Sequence, residues 1–187
     1  MNDFQTIEQQ FAALFSLVED DETFSALDQN ISSWSVGDQV AHVALALRAM
    51  GTNVRKALMS DAVTESTGPN KMGAFILKNG FIPRGKAQAP EFVHPKGVSS
   101  REGVTADLEQ AHSRWEELYS RIDEIESSES VVPHQLLGDF TADLWVRFAC
   151  IHTQHHLKII FDILDDTGIP VPEKVEIIRT NSLELKK

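Results

Sequence analysis

Apolar residues recur at helical spacing along four stretches of this chain. In the first, residues 4–18, apolar side chains return every three or four positions and so line one side of a helix. The second begins at Ser35, which has the spacing of a capping box with Asp38, and it continues to Leu58. These patterns predict two long amphipathic helices in the first third of the chain.

Two further helices are predicted in the second half of the chain. One begins near residues 99–100 and carries apolar positions through Ile125. The other has Thr141 as its N-cap and ends at Gly168, with Pro170 just beyond it as a stop signal.

A long connection, about residues 60–98, separates the second and third predicted helices. It is rich in Gly, Pro, Asn and Lys, and residues 72–77 predict a short helix inside it. Strand signals are nearly absent, although the C-terminal tail (about residues 169–187) has a stretch at 171–178 that could be extended. We predict an all-α fold, a four-helix bundle with one long crossover, as a single domain over residues 1–187.

Length and composition agree with such a domain. The 187 residues are 42% hydrophobic, which is enough for a sizeable core. No run of 18 apolar residues is present and the first residues lack the pattern of a secretory signal, so we expect no membrane association. The single cysteine, Cys150, excludes an internal disulfide and is compatible with the cytoplasmic location that we expect.

The charge argues against one class of partner. The formal net charge is −11, and the Lys and Arg residues are scattered rather than clustered. Non-specific affinity for nucleic acid comes mainly from basic residues that neutralise phosphates. We therefore expect no nucleic-acid partner.

The candidate chemistry is concentrated in the fourth predicted helix. Residues four apart share a helix face, so His152 and His156 point the same way. At roughly 100° per residue they fall within about 20° either side of the centre of the apolar stripe, and His155 lies about 60° from His152. Burying imidazoles without partners is costly, and a divalent ion of zinc, nickel or iron is one partner that removes this cost.

Spacing alone leaves plainer explanations open. A core histidine is often simply hydrogen-bonded to a carbonyl or a carboxylate, and a run of surface histidines can arise by chance. Zinc normally takes three or four protein ligands, so His152 and His156 alone do not make a site. The second predicted helix holds His42 beside Ala46 and Ala49, roughly opposite that helix's apolar stripe, where periodicity places it in solvent.

Two motifs of this chain occur together in a known family. Residues 34–43 read Trp-Ser-Val-Gly-Asp-Gln-Val-Ala-His-Val, and residues 152–156 read His-Thr-Gln-His-His. They resemble the Trp-Ser helix start followed by a histidine, and the later His-x-x-His-His motif, of the DinB-like metalloenzymes. The segment 133–141, an Ala-Pro pair at 89–90 and a His-Pro pair at 94–95 resemble loops of an uncharacterised branch.

The resemblance, which spans about residues 1–167, implies an up-down-down-up bundle with a metal site. It assigns the ligands of a divalent metal, zinc or nickel, to His42, His152 and His156. The family includes thiol-dependent S-transferases, so the resemblance also implies a metal-dependent transferase or hydrolase that acts on a small molecule, with a low-molecular-weight thiol as a candidate substrate. The chain departs from the family at residues 157–159, where Leu-Lys-Ile replaces Arg-Gly-Gln or a similar polar set.

Three residues are candidates for a catalytic role. Asp38, one turn before His42, could orient its imidazole, although the capping box already accounts for this carboxylate. His134, in the predicted loop entering the fourth helix, could reach the open side of a metal. His155 could act as an acid or base, or it could bond to a neighbouring helix.

Two classes of function remain open. The first is a metal-dependent enzyme with the three histidines as ligands. The second is a non-catalytic helical-bundle protein whose metal is structural, or whose histidines satisfy one another or serve dimerisation. We favour the enzyme and expect a homodimer, with His112 in a core role and Cys150 packed away from the histidines in either case.

Overall fold

The computed structural model describes residues 2–59, 65–85, 90–95 and 99–184. Three pieces of the predicted connection, including Ala89 of the Ala-Pro pair, lie outside these residues, as does the end of the C-terminal tail. Within the described part of the chain the fold is predominantly helical, as predicted. None of the helices there is long and apolar enough to cross a membrane.

The described helices are α1 (Asp3–Ser16), α2 (Asp21–Ser25), α3 (Val36–Ala57), α4 (Lys71–Asn79), α5 (Arg101–Tyr119), α6 (Ile122–Ser127), α7 (Ala142–Thr167) and α8 (Glu173–Glu184). Alongside them lie the strands β1 (Val131–His134) and β2 (Gly138–Thr141) and a single turn of 3-10 helix (Glu91–Val93). The short helix predicted at 72–77 is present as α4.

Local hydrogen bonds set the predicted helix starts. The Ser35 hydroxyl accepts the Asp38 N–H at 3.1 Å, and the Asp38 carboxylate accepts the Ser35 N–H at 3.2 Å, which confirms the capping box. Ser100 caps α5 through a backbone N–H in the first turn. Thr141 is the N-cap of α7, but its hydroxyl bonds to the Asp143 side chain and not to the helix backbone.

The third predicted helix is interrupted. Helix α5 ends at Tyr119 and α6 begins at Ile122. Between them the Ser120 hydroxyl donates to the Glu117 carbonyl at 3.0 Å, and such local bonds compete with continuation of a helix. Arg121 does not have helical backbone angles. The helical spacing of apolar residues therefore continues from α5 into α6 although the helix itself is interrupted.

The C-terminal tail is helical rather than extended, so the prediction for residues 171–178 was wrong. Helix α8 buries Val175 and Ile178, which are three positions apart and therefore share a face. Helix α8 packs against α1. The partner of the tail is thus a distant helix, which the local sequence does not indicate.

One hairpin lies within the described residues, and the sequence analysis missed it. Strands β1 and β2 pair in antiparallel fashion, with Val131 opposite Thr141 and His134 opposite Gly138. Pro133 lacks a backbone donor and Gly138 weakens strand propensity, so the strand signal in the sequence is faint. His134 therefore ends a strand and does not lie in the predicted loop.

The turn of the hairpin lies directly against the start of α4. The Asn70 N–H donates to the Leu137 carbonyl at 2.8 Å, and a Cβ at Gly73 would lie 2.3 Å from the same oxygen. Gly138 has a φ of +87°, and a Cβ there would lie 2.5 Å from the Asn70 nitrogen. Contacts between backbone atoms therefore fix the position of α4 relative to the hairpin.

Helix α3 lies at the centre of the packing. It contacts α5 on one side and α7 on the other, and α1 contacts the same two helices. The fully buried Trp115 of α5 donates its indole N–H to the Leu47 carbonyl of α3 at 3.0 Å. Gln10 of α1 donates to the Cys150 carbonyl of α7 at 2.9 Å. These bonds satisfy buried polar groups and hold the long helices in register.

We expect Gly138→Ala to destabilise the protein more than Gly168→Ala. Both glycines have left-handed backbone, but a Cβ at Gly168 would have no atom within 4 Å. Gly168→Ala is expected to cost only the backbone strain, about 1–2 kcal/mol, whereas Gly138→Ala adds the clash with Asn70 and is expected to cost about 2–5 kcal/mol. Urea denaturation of both variants checks this, and equal losses would contradict the close contact.

Candidate metal centre

Three histidines from two helices converge between α3 and α7. His42 of α3 meets His152 and His156 of α7, and one nitrogen from each ring lies within 4.8 Å of the other two. The Nε2 atoms of His42 and His152 are 3.3 Å apart. The side chains of His42 and His156 are 2% and 8% exposed, and His152 is half-buried.

The buried position of His42 differs from the helical periodicity. Its face of α3 lies opposite the predicted apolar stripe, yet this face is covered by α7 and by the 3-10 turn of the long connection. Trp34, just before α3, also packs on the imidazole, with 5.1 Å between ring centroids. Periodicity assumes one buried face, and α3 has neighbours on several sides.

Hydrogen bonds to the outer nitrogens fix two of the three rings. The Nδ1–H of His42 donates to the Val93 carbonyl at 2.8 Å. His156 Nδ1 lies 2.7 Å from Gln39 Oε1, and the Gln39 amide nitrogen donates to the Ser32 hydroxyl at 2.9 Å. Since the Gln39 amide nitrogen donates to Ser32, the Gln39 oxygen faces His156 and accepts a hydrogen bond from its Nδ1–H. Both rings therefore direct a bare Nε2 lone pair inward.

The third ring, His152, has no such outer partner. Its Nδ1 is buried and lacks a hydrogen-bond partner among the described residues. Its Nε2 faces the lone pair of His42 Nε2, so the 3.3 Å contact requires either a proton on His152 or a cation shared by both rings. The three rings thus present at least two lone pairs to one small volume.

Burial keeps these imidazoles neutral at neutral pH. It lowers the pKa of His42, and it lowers the pKa of His152 and His156 well below the ordinary value. Neighbouring histidines lower all three pKa values further, because a second positive charge nearby is unfavourable. Neutral imidazole is the form that binds metal ions.

The cluster lies in the wall of a large cavity. The cavity has a volume of about 950 Å³ and reaches from the histidines along α3. Most of its lining is apolar and comes from α4, the 3-10 turn, the hairpin and α7, with the larger side chains being Trp34, Met72, Ile76, Phe92, Trp145 and Phe148. A mostly apolar concave site with a few convergent polar groups is typical of small-molecule binding.

Asp38 lies outside the ring contacts of His42. Its carboxylate accepts the Ser35 hydroxyl at 2.9 Å and the Ser99 hydroxyl at 3.0 Å. The outer nitrogen of His42 bonds instead to Val93. The ring is therefore oriented by a backbone carbonyl, while Asp38 joins the start of α3 to the segment before α5.

The other two catalytic candidates line the cavity. His134 Nδ1 accepts the Leu136 N–H at 3.1 Å, and the ring stacks on Trp145 with 5.3 Å between centroids. His155 bonds to the backbone of Ile82, which lies in the segment after α4 and not in a neighbouring helix as its alternative role required. Burial lowers the pKa of His155, and it lowers the pKa of His134 to about 4.

His112 and Cys150 lie away from the cluster. His112 Nε2 is 3.3 Å from a carboxylate oxygen of Glu8, and the ring packs edge-on against Phe11. The Cys150 thiol donates to the Asp3 carbonyl of α1, and burial raises its pKa. Cys150 therefore has the packing role that the sequence predicted, whereas His112 lies at the edge of the core with 24% of its side chain exposed.

Sequence reasoning missed two residues that hold the rings. Gln39 lies one turn before His42, and its spacing to that histidine could have placed it on the same face. Val93 contributes only a backbone carbonyl, which no side-chain pattern reveals. Both belong to the shell that sets which nitrogen of each imidazole is free.

We expect His134 to lower the free energy of unfolding in mild acid. Because the folded pKa is about 4 and the ordinary value is 6.5, stability is complete above the ordinary value and falls as pH drops between the two. His134→Phe keeps an aromatic ring on Trp145 but cannot bind a proton. Between about pH 7.5 and pH 5, its free energy of unfolding should fall by about 1 kcal/mol less than that of wild type, after allowance for the partial exposure of His134. Urea unfolding at both pH values measures this, and equal losses would count against it.

Comparison with known proteins shows the family of this chain. No curated protein and no solved structure matches the chain. The family model of the DinB superfamily matches residues 4–160, which include all three clustered histidines and the whole of α3. This match covers well over half of the sequence, and the chain therefore belongs to the DinB superfamily.

Proposed function

We propose that this protein is a metal-dependent enzyme in which His42, His152 and His156 bind one divalent cation, zinc or nickel, through their Nε2 atoms. The observation that carries the proposal is the convergence of three neutral imidazoles, two of them held with lone pairs inward. Borderline cations such as Zn²⁺ and Ni²⁺ favour imidazole ligands. The donor set therefore fits the cation.

The number of ligands favours a catalytic over a structural site. Structural zinc sites usually have four protein ligands, whereas catalytic sites have three and keep a position open. Among the described residues, no fourth His, Cys, Asp or Glu joins the cluster. The histidines instead border the cavity, where a substrate has access to them.

The lining of the cavity favours a thiol over water as the nucleophile. A divalent cation held by three imidazoles supplies Lewis acidity, which lowers the pKa of a coordinated thiol or water. Hydrolysis commonly also uses a carboxylate base, and none of the described lining residues is Asp or Glu. A thiol, with an ordinary pKa near ~8.5, depends less on such a base.

The reaction we propose is transfer of a low-molecular-weight thiol. The sulfur forms a bond to an electrophilic carbon, whose leaving group departs with the bonding electron pair, and the thiol proton passes to solvent. His134 is neutral at neutral pH and uses Nδ1 to accept the Leu136 N–H, so its Nε2–H is available as a donor to substrate. We assign it a positioning role, with His155 as the alternative proton carrier.

The remaining parts of the proposal concern assembly and setting. We propose that α1, α3, α5 and α7 form the up-down-down-up bundle with the long crossover between α3 and α5, which is supported by their pairwise packing. The homodimer, the cytoplasmic location and the absence of a nucleic-acid partner stay predictions.

We expect the protein purified without an affinity tag to hold about one equivalent of divalent metal. His42→Ala and His156→Ala should each lose it, because two imidazoles are too few for a stable site. Metal analysis by mass spectrometry measures the content, and circular dichroism checks that the helices remain.

The matched control is His112→Ala, which removes a histidine bonded to Glu8 and remote from the cluster. It should keep the full metal content. Wild-type protein that stays metal-free after incubation with zinc and nickel would overturn the site. The transferase would be overturned in favour of the hydrolase if the metal-loaded protein hydrolyses esters but does not consume a thiol in the presence of an alkylating electrophile.

We expect Gln39→Leu to weaken metal binding by about 10–100-fold, the usual effect of losing an outer partner of a ligand. The substitution removes the acceptor that orients His156. Competition with a chromogenic chelator measures the affinity. Gln10→Leu is the control, since Gln10 is as buried as Gln39 but bonds to the Cys150 carbonyl and joins α1 to α7. The metal affinity of this variant should match that of wild type.

A further inference from the structure

The face of α3 that carries His42 also forms a long wall of the cavity. Side chains on this face recur at spacings of four and three residues, at positions His42, Ala46, Ala49, Asn53 and Lys56, and all five line the cavity. The two alanines leave the space beside the helix open. At 1.5 Å per residue, this wall extends roughly 20 Å from His42 to Lys56.

The charge of the lining contrasts with the charge of the protein. The chain has 28 Asp and Glu residues and a net charge of −11. None of these carboxylates belongs to the described lining, where the permanently charged side chain is Lys56. Lys56 is exposed at the edge of the cavity and forms no ion pair with another described residue. An apolar cavity of this kind disfavours a cationic ligand and accepts an anionic one.

A second cation lies beside the same end of the cavity. A smaller cavity of about 310 Å³, between α3 and α5, shares Ala49, Thr52 and Phe92 with the large one. Arg114 lines the smaller cavity, and its guanidinium donates to the Thr52 hydroxyl. Arg114, like Lys56, has no carboxylate partner among the described residues. The Thr52 hydroxyl donates to the Arg48 carbonyl at 2.8 Å and accepts from Arg114, so it holds the guanidinium beside the large cavity. Thr52 and Lys56 are four residues apart on α3, so the two cations lie near the same end of this cavity.

We propose that the substrate of this site is an elongated apolar molecule with one oxyanion group. Its apolar body lies along Ala46 and Ala49, and the oxyanion bonds to Lys56 and Arg114. The reacting end then lies beside His42, roughly 15–20 Å from the oxyanion group. The position of the reacting end rests on the proposed function, whereas the binding of the body and the oxyanion does not.

Four probes with one ten-carbon chain test the ligand class: decanoate, decyl phosphate, decanol and decylamine, all below their micelle concentrations. Binding is measured by calorimetry and by the fluorescence of Trp34 and Trp145, which line the cavity. The protein is used both as purified and after chelation, because an oxyanion can also bind a metal ion. In both forms at least one of the two anions should bind about tenfold more tightly than decanol, with decylamine the weakest.

Substitutions locate the two parts of the ligand. Lys56→Met and Arg114→Met should each lower the preferred anion's affinity by about three- to tenfold and leave decanol unchanged. Lys78→Met, an exposed lysine of α4 outside the cavity lining, is the matched control and should change nothing. Ala49→Leu narrows the cavity and should weaken every probe together.

The outcomes separate this proposal from the metal site. Absence of binding by all four probes overturns the apolar ligand, and equal affinity of anions and decylamine overturns the oxyanion site, whatever the metal content. Protein that holds no metal but shows the Lys56 and Arg114 effects supports the ligand class and overturns only the metal site.

Discussion

Packing α3 against α7 brings three imidazoles together in the largely buried wall of the cavity, and each ring has two nitrogens that need partners. This requirement organises much of the surrounding structure. The long connection returns to place the Val93 carbonyl on His42, and Gln39 is held by Ser32 so that its oxygen meets His156. With the outer nitrogens of His42 and His156 bonded, their inner lone pairs are left to accept a proton from His152 or to bind a cation.

The parts of the fold that depend on local chemistry could be predicted. The capping box at Ser35 and the N-cap at Ser100 involve contacts within one turn, and the shared face of His152 and His156 follows from helix geometry alone. The burial of His42 could not be derived in this way, because it depends on a segment about fifty residues further along the chain. Resemblance to a family grouped His42 with His152 and His156 as a metal ligand, whereas periodicity pointed to solvent.

The features that the sequence hid are those that depend on contacts with distant parts of the chain. The hairpin contains Pro133 and Gly138, which argue against a strand, and it is held by pairing and by the contact with α4 rather than by residue preference. The helical tail depends similarly on α1, a partner at the other end of the chain. In both places tertiary contacts decide between conformations that the local sequence leaves nearly equal.

The close approach of Gly73 to the Leu137 carbonyl has a consequence for how the cavity can change. Because no side chain separates α4 from the hairpin there, the spacing between these two walls cannot be narrowed by trimming a residue, and widening it would break the hydrogen bond from Asn70. The separation of these two walls is therefore set by the backbone and not by side chains. Adaptation to ligands of other sizes would have to proceed through the side chains that project inward, such as Ala46 and Ala49, while the frame around them stays constant.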